Sequence, residues 1–338
     1  MPSRKPTKIP SPVPIMTDMW STWRSFAIAA AIELDVFTRI AAGKVTAEEI
    51  AADADANAGA MRRLLDAQVG LKVLQRKGDR YSLTPAATTY LVRGSDLYME
   101  GAGRMTQGLA MQFSQLSQVV RTGHALGEMG AANPGEFFAF LVKSIFPASY
   151  AGSKAAVASI PKAGRNRIKE ILDVAAGAAP WSIAFAEAIP EARVTALDYA
   201  QVIPVTREYT DKYGVSSRYS FIEGDLRESD FGLERYDLVI LGHIIHGEGR
   251  DGGIRLIEKS ATALKKGGQL LIAEFIPNDE RTGPALPLLF GLNMMIATQG
   301  ADVFTMREYR EWLKSAGFRT IKVIRTPAAP SPLILATK

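Results

Sequence analysis

The amino-acid sequence predicts an α/β protein, a mostly parallel sheet with crossover helices, preceded by a smaller and mostly helical domain. Three observations carry this. From Ile168 onward, short apolar runs alternate with amphipathic stretches, the pattern of strands joined by helices. Residues 171–182 (ILDVAAGAAPWS) read as a buried strand that breaks at a small-residue turn into a helix, and a second strand, residues 193–197, closes on Asp198. Residues 46–84 read as helix, helix and hairpin, the order of a winged helix.

Composition narrows the classes. A chain of 338 residues exceeds what one core usually serves, so two domains are expected. With 47% hydrophobic and 22% charged residues it is globular, not disordered. The absence of cysteine removes disulfides, zinc-thiolate sites and thiol nucleophiles, and fits a cytoplasmic setting. No run is long and apolar enough for a bilayer, and the basic start is followed by prolines instead of the apolar core of a signal peptide. The net charge of +5 is scattered, so neither nucleic acid nor membrane is indicated as a partner.

In chain order, residues 1–15 form a basic, Pro-rich arm expected to be flexible. Residues 16–40 carry Trp20, Trp23, Phe26, Ala27, Ala30 and Leu34 at spacings of three and four, which predicts one helix buried on more than one side. Thr46 and Glu49 make a capping box opening the next helix, and Met61, Leu64, Leu65 and Val69 lie on one face of another. Residues 71–76 and 80–84 then pair as a hairpin. A winged helix serves DNA readout or dimerisation. Arg62, Arg63 and Gln68 stand beside Asp66 without a basic cluster, which weighs against DNA. Residues 98–158 read as helical and aromatic, suited to packing or to lining an apolar pocket.

Beyond the first two strands come residues 218–222, 236–241 and 269–274, with an amphipathic helix over 251–264 and an insertion over 275–305. Thr305 and Glu308 make a second capping box. Residues 320–324 and 332–336 close the sheet as an antiparallel pair. An Ala/Gly turn lets backbone N–H groups approach a ligand at a helix start, and an acidic residue ending the second strand can accept from ribose hydroxyls. Only Gly177 remains where such turns usually carry two or three glycines.

In this order and spacing, Leu172-Asp173-Val174-Ala175-Ala176-Gly177, Ala196-Leu197-Asp198, Gly224-Asp225-Leu226, Tyr236-Asp237-Leu238-Val239, Ile244-Ile245-His246, Leu264-Lys265-Lys266-Gly267-Gly268, Glu274-Phe275-Ile276-Pro277 and Ser315-Ala316-Gly317-Phe318 resemble the class I S-adenosylmethionine-dependent methyltransferases. More narrowly, the chain from about Met16 is similar to the two-domain small-molecule O-methyltransferases with an N-terminal winged-helix dimerisation domain. The resemblance implies a Rossmann-like seven-stranded methyltransferase sheet with its last strand antiparallel. It also implies a winged-helix dimerisation domain at 16–97, a helical linker contributing to the substrate pocket at 98–160, and a catalytic domain at 161–338.

It further implies S-adenosyl-L-methionine as cofactor, its methionine end on the turn with Asp173, Ala175 and Gly177, its ribose on Asp198 and Tyr199, and its adenine by Gly224, Asp225 and Leu226, with Gly242 and Tyr150 completing the site. His246 matches the family's catalytic base and Glu274 the acid that holds it. Phe138, Phe146, Met294, Met295 and His243 are the expected acceptor wall. The implied acceptor is a small, aromatic or polyketide-like hydroxylated metabolite and the implied assembly a homodimer. No metal is expected, because His243, His246 and Glu248 lack a convincing further ligand. Two positions depart from the family pattern: Gly247 stands where relatives place Asp, and Val303, beside Asp302, where they place a second Glu. N- or C-methylation, a non-methylating use of the cofactor and, less favoured, a DNA-binding regulator remain alternatives on this scaffold.

Overall fold

The computed structural model describes residues 9–127 and 134–338; the first eight residues of the expected arm lie outside them. Contacts divide the chain into two compact units, Met1–Ala110 and Met111–Lys338.

The first unit starts with α1 (Val13–Met19), α2 (Ser21–Glu33) and α3 (Val36–Ala41), so the single helix expected over 16–40 is three. Asp35, at φ 52, turns the chain left-handed between the last two. Trp20, Trp23 and Phe26 are 44%, 64% and 44% exposed, and the two indoles stack at 5.1 Å, so the face expected to be buried is open on the single chain. Helices α4 (Ala47–Asp53) and α5 (Ala58–Gly70), the hairpin β1 (Leu74–Lys77) and β2 (Arg80–Leu83), and α6 (Pro85–Leu91) follow as the winged-helix order requires. The Thr46–Glu49 capping box is formed on both sides. Phe37, Ile50, Met61, Leu65, Leu74 and Tyr81 make the core, and Asp66, on the expected recognition helix, is taken by Arg62, Arg76 and the Tyr81 hydroxyl. Helix α7 (Ala102–Phe113) crosses the boundary between the units.

The second unit holds α8 (Leu116–Thr122), α9 (Pro134–Ser159), α10 (Lys162–Arg165), β3 (Glu170–Val174), α11 (Pro180–Ala188), β4 (Arg193–Asp198), α12 (Ile203–Lys212), β5 (Tyr219–Glu223), β6 (Tyr236–Gly242), α13 (Ile245–Ala263), β7 (Leu264–Ala273), α14 (Ala285–Ala297), α15 (Met306–Ser315), β8 (Thr320–Ile324) and β9 (Leu333–Thr337). The sheet has seven strands in the order β5-β4-β3-β6-β7-β9-β8. Only β9 runs antiparallel to its neighbours, inserted between β7 and β8. The central strands are buried, with Leu172, Val174, Val239, Leu241, Leu270 and Ile272 on one face of the sheet, while Asp173 brings a buried carboxyl into β3.

Register places the site. Val174 pairs with Leu197 on one side and Leu241 on the other, Asp198 pairs with Glu223, and Gly242 pairs with Ala273. The residues just past these pairs, Ala175, Gly224, His243 and Glu274, therefore emerge along one carboxyl edge, where β3 switches from β4 to β6 and ligands of such sheets bind. Helix α13 begins at Ile245, six residues before the expected start. Its first turn, which holds His246, is set off by a break at Gly249 (φ 67), where a Cβ would lie 2.6 Å from the Gly300 carbonyl. Among the described residues no helix is long and apolar enough to cross a membrane.

Candidate active site

The turn after β3 keeps a glycine-like path although two of its residues are alanine. Ala175, Gly177 and Ala179 have φ of 53, 59 and 56. Left-handed backbone costs an L-residue about 1 kcal/mol or more, a strain typical of functional turns. The turn is fixed from below: Asp198 accepts from the Gly177 N–H at 2.7 Å and from the Tyr199 N–H at 2.7 Å, and the Thr206 hydroxyl donates to the Gly177 carbonyl at 2.7 Å. Helix α11 starts at Pro180 with no side-chain cap, leaving its positive end on the turn. The Ser182 hydroxyl donates to Asp173 at 2.5 Å and accepts from the Tyr219 hydroxyl at 3.0 Å.

Burial pushes Asp173 up to about 7, against the pull of Ser182 and with the charge of Asp198 adding to it. Burial likewise raises Asp198 to about 6, against the Gly177 and Tyr199 N–H groups. Two desolvated acids with no cation beside them suit a ligand that brings positive charge. On the next loop, Asp225 accepts from the Arg227 N–H at 2.8 Å and lies 3.5 Å from the Tyr199 hydroxyl. A Cβ at Gly242 would sit 2.4 Å from the Trp181 ring, so that glycine is sterically required, and one at Gly224 would sit 2.5 Å from the Ser229 hydroxyl, which would have to turn away. Leu226 is packed in the core, and its carbonyl is tied down by Lys259 at 2.7 Å.

At the other end of the edge stands a histidine–carboxylate pair. Glu274, 1% exposed, lies 2.7 Å from Nδ1 of His246 and also accepts from the His246 backbone N–H at 3.2 Å. Burial alone would raise the Glu274 carboxyl, but the attraction and hydrogen bonds of His246, with a further contribution from His243, hold it below its ordinary value. Phe290 meets the His246 ring edge-on at 4.9 Å and stacks on Phe275 at 3.9 Å. One ring nitrogen of His243, one of His246 and a Glu274 oxygen lie within 4.8 Å of one another, the one group among the described residues able to gather a cation; Glu248, expected nearby, is instead held bidentately by Arg227.

The O-methyltransferase domain model matches residues 156–319 and the O-methyltransferase dimerisation domain model residues 19–93. The chain belongs to the S-adenosylmethionine-dependent O-methyltransferases. It is 29% identical over 98% of its length, and 97% of the relative's, to the tetracenomycin polyketide synthesis 8-O-methyltransferase TcmO of Streptomyces glaucescens. It is 27% identical to the 3-hydroxy-5-methyl-1-naphthoate 3-O-methyltransferase of Streptomyces sahachiroi, covering 92% and 91% of the two chains. Human N-acetylserotonin methyltransferase, solved with S-adenosylmethionine, shares the fold at a TM-score of 0.83 and 23% identity, over 99% of both chains.

The cofactor of this O-methyltransferase is S-adenosyl-L-methionine, and the cradle fits it: buried acids for a cationic ligand, and glycines where the chain must pass close. The sign of the pH dependence follows. A bound cation lowers the two raised acid values, so binding releases protons between about pH 5 and 7, and affinity should rise with pH over that window and level off above it. Titration calorimetry of the cofactor at about pH 6.5 in two buffers of different ionisation enthalpy should give a positive proton release; a count of zero contradicts it. The same raised values give the empty O-methyltransferase stability below about pH 4 that is lost as pH rises through about 6 to 7.

Several expected residues sit elsewhere. The Tyr150 hydroxyl donates to Glu187 at 2.6 Å, near the far end of α11 and about 10 Å along the helix from the turn, so it does not reach the cradle. Phe146, 1% exposed, fills an aromatic cluster with Tyr150, Tyr209 and Tyr213 at 4.5–5.4 Å instead of facing an acceptor. Phe138 stacks on Tyr199 at 6.3 Å, on the nucleotide side. Both follow from one stripe of α9 lying over the cradle, where Val142 would meet a Cβ at Gly177 at 2.9 Å. Met294 is buried, whereas Met295 lines a cavity of about 470 Å³ with Leu292, Arg281 and Asp302. Asp302 does not replace the missing acid at the histidine ring. Its carboxylate accepts from the Val303 N–H at 2.7 Å and faces Arg281 at 3.8 Å, while its own N–H holds the His246 carbonyl at 3.1 Å. Sequence reasoning missed Phe290, Trp181 and the Arg227–Glu248 pair; periodicity cannot show which face of the apolar helix α14 meets a histidine 44 residues earlier.

Proposed function

We propose that this enzyme methylates a hydroxyl of a small aromatic or polyketide-like metabolite, with His246 as general base and Glu274 as its partner. The supporting observation is the two-point hold of Glu274 on the ring and backbone of His246. A carboxylate at Nδ1 fixes the proton there and leaves the lone pair on Nε2. Bound S-adenosyl-L-methionine supplies an electrophilic methyl group. His246 takes the acceptor's hydroxyl proton onto Nε2, the oxygen's electron pair forms the new O–CH₃ bond, and the broken S–CH₃ pair leaves on sulfur. Alignment along that line is the other main contribution of the protein. Phe275 and Phe290 give a flat apolar wall beside the base, suited to an aromatic ring.

The acceptors named for the two Streptomyces relatives, a tetracenomycin polyketide and a hydroxynaphthoate, support an acceptor of that class here. The open Trp20, Trp23 and Phe26 face, inside the region matched by the dimerisation model, supports a homodimer. The cysteine-free composition supports a cytoplasmic setting. Incubation with S-adenosylmethionine and a set of naphthols and naphthalenediols, read by mass and by NMR of the product, tests the acceptor atom. A methyl ether is expected, and a C-methyl product overturns the assignment.

A further inference from the structure

We propose that His243 is a specificity-determining hydrogen-bond donor of the acceptor site, and that the preferred acceptor carries a second oxygen ortho or peri to the hydroxyl that is methylated. This rests on the reading that His246 meets that hydroxyl.

His243 directly follows β6 in left-handed backbone, φ 59, its own N–H donating to the Ala273 carbonyl at 2.8 Å. A non-glycine residue held there is strained, and such strain gathers at functional positions. Its ring is walled by Trp181 at 5.9 Å and Phe275 at 5.3 Å, and faces His246 at 6.5 Å. The residue is half-buried as a whole, but its Nδ1 is sealed with no hydrogen-bond partner. An unpartnered N–H in a sealed place costs more than an unpartnered lone pair, so Nδ1 is the bare nitrogen and Nε2 carries the hydrogen. Burial, with the charge of His246 adding and that of Glu274 opposing, pushes the group down to about 4, so the ring stays neutral in ordinary buffers. It is a fixed single donor beside the base.

The reacting oxygen has no use for this donor. It gives its proton to His246 and its in-plane electron pair to the methyl group, and its other pair is conjugated into the ring. A neighbouring oxygen does have a use for it. Two oxygens on adjacent or peri carbons lie about 2.7 Å apart, within hydrogen-bond range, and a hydroxyl that donates to its neighbour turns its proton away from an outside base. The His243 and His246 rings, 6.5 Å apart between centroids, can each address one oxygen of such a pair. The His243 N–H would then take over the second oxygen and free the first hydroxyl for His246.

The test compares 2,3-dihydroxynaphthalene with its 2,7 isomer, which differs only in the separation of the oxygens, binding to the full-length enzyme saturated with S-adenosylhomocysteine in the presence of EDTA. One otherwise unpaired donor leads to an expected preference of about tenfold for the 2,3 isomer. His243→Ala should bring the ratio to about one. His243→Asn, which tolerates left-handed backbone and keeps an N–H donor, should retain most of the preference. Binding of S-adenosylhomocysteine by each variant reports that the site is folded. Equal affinities in the wild-type enzyme, no binding of either isomer, or an undiminished ratio in His243→Ala overturns the proposal. A preference seen only without EDTA also overturns it, assigning the cluster to a metal. Failure of the general-base reading would show differently, as retained turnover in His246→Ala with the binding ratio intact.

Discussion

Replacing His246 with alanine is expected to lower kcat by roughly 10²–10⁴-fold, the usual contribution of a positioned general base, while the affinity for S-adenosylhomocysteine stays within about threefold of wild type. The residues proposed for the cofactor lie on the loops after β3, β4 and β5, whereas His246 is held by Glu274 beyond β7. Removing the ring therefore leaves the cradle's hydrogen bonds in place. Glu274→Gln should act on the same step to a smaller extent, because an amide still fills the space but no longer fixes a protonated Nδ1. Single-turnover rates with a naphthol that the wild-type enzyme methylates check both. Unchanged turnover in His246→Ala would mean that the acceptor loses its proton to another group or to water.

Replacing Asp198 with alanine should weaken cofactor binding by about a hundredfold or more, since hydrogen bonds to a charged group contribute roughly 1.5–3 kcal/mol each. The loss has two sources. A carboxylate at the end of β4 is placed to accept from the ribose in the reading proposed here, and it also fixes the Gly177 N–H and so the shape of the strained turn. Asp198→Asn should be milder, because the amide oxygen can still accept one of those N–H bonds. Equilibrium binding of S-adenosylhomocysteine to the three proteins gives the order; equal affinities would remove Asp198 from the site.

What could be read from the sequence was local. The capping boxes at Thr46 and Thr305, the seven strands and the antiparallel last strand follow from spacing and composition alone. The pairing of His246 with Glu274 is instead implied by the family resemblance, and the parallel pairing of β6 with β7 gives it a physical reason, since residues that end neighbouring parallel strands share one edge. What could not be read depends on distant packing. Spacing puts Phe138, Phe146 and Tyr150 on one stripe of α9, but only the structure shows that the stripe runs from Tyr199 to Glu187 and past the cradle. The early start of α13 depends on the Gly249 break against Gly300, a contact across 51 residues. The open Trp20–Trp23 face looks like core in the sequence because apolar spacing alone does not tell an exposed face from an interior one.

We propose that this edge of the sheet holds S-adenosylmethionine against the His246–Glu274 pair. Calorimetric titration of the full-length wild-type protein with S-adenosylmethionine tests it most directly. One site per chain is predicted, with protons released on binding below about pH 7 and binding lost in Asp198→Ala. Absence of binding by the wild-type protein, or equal binding by Asp198→Ala, would contradict the account.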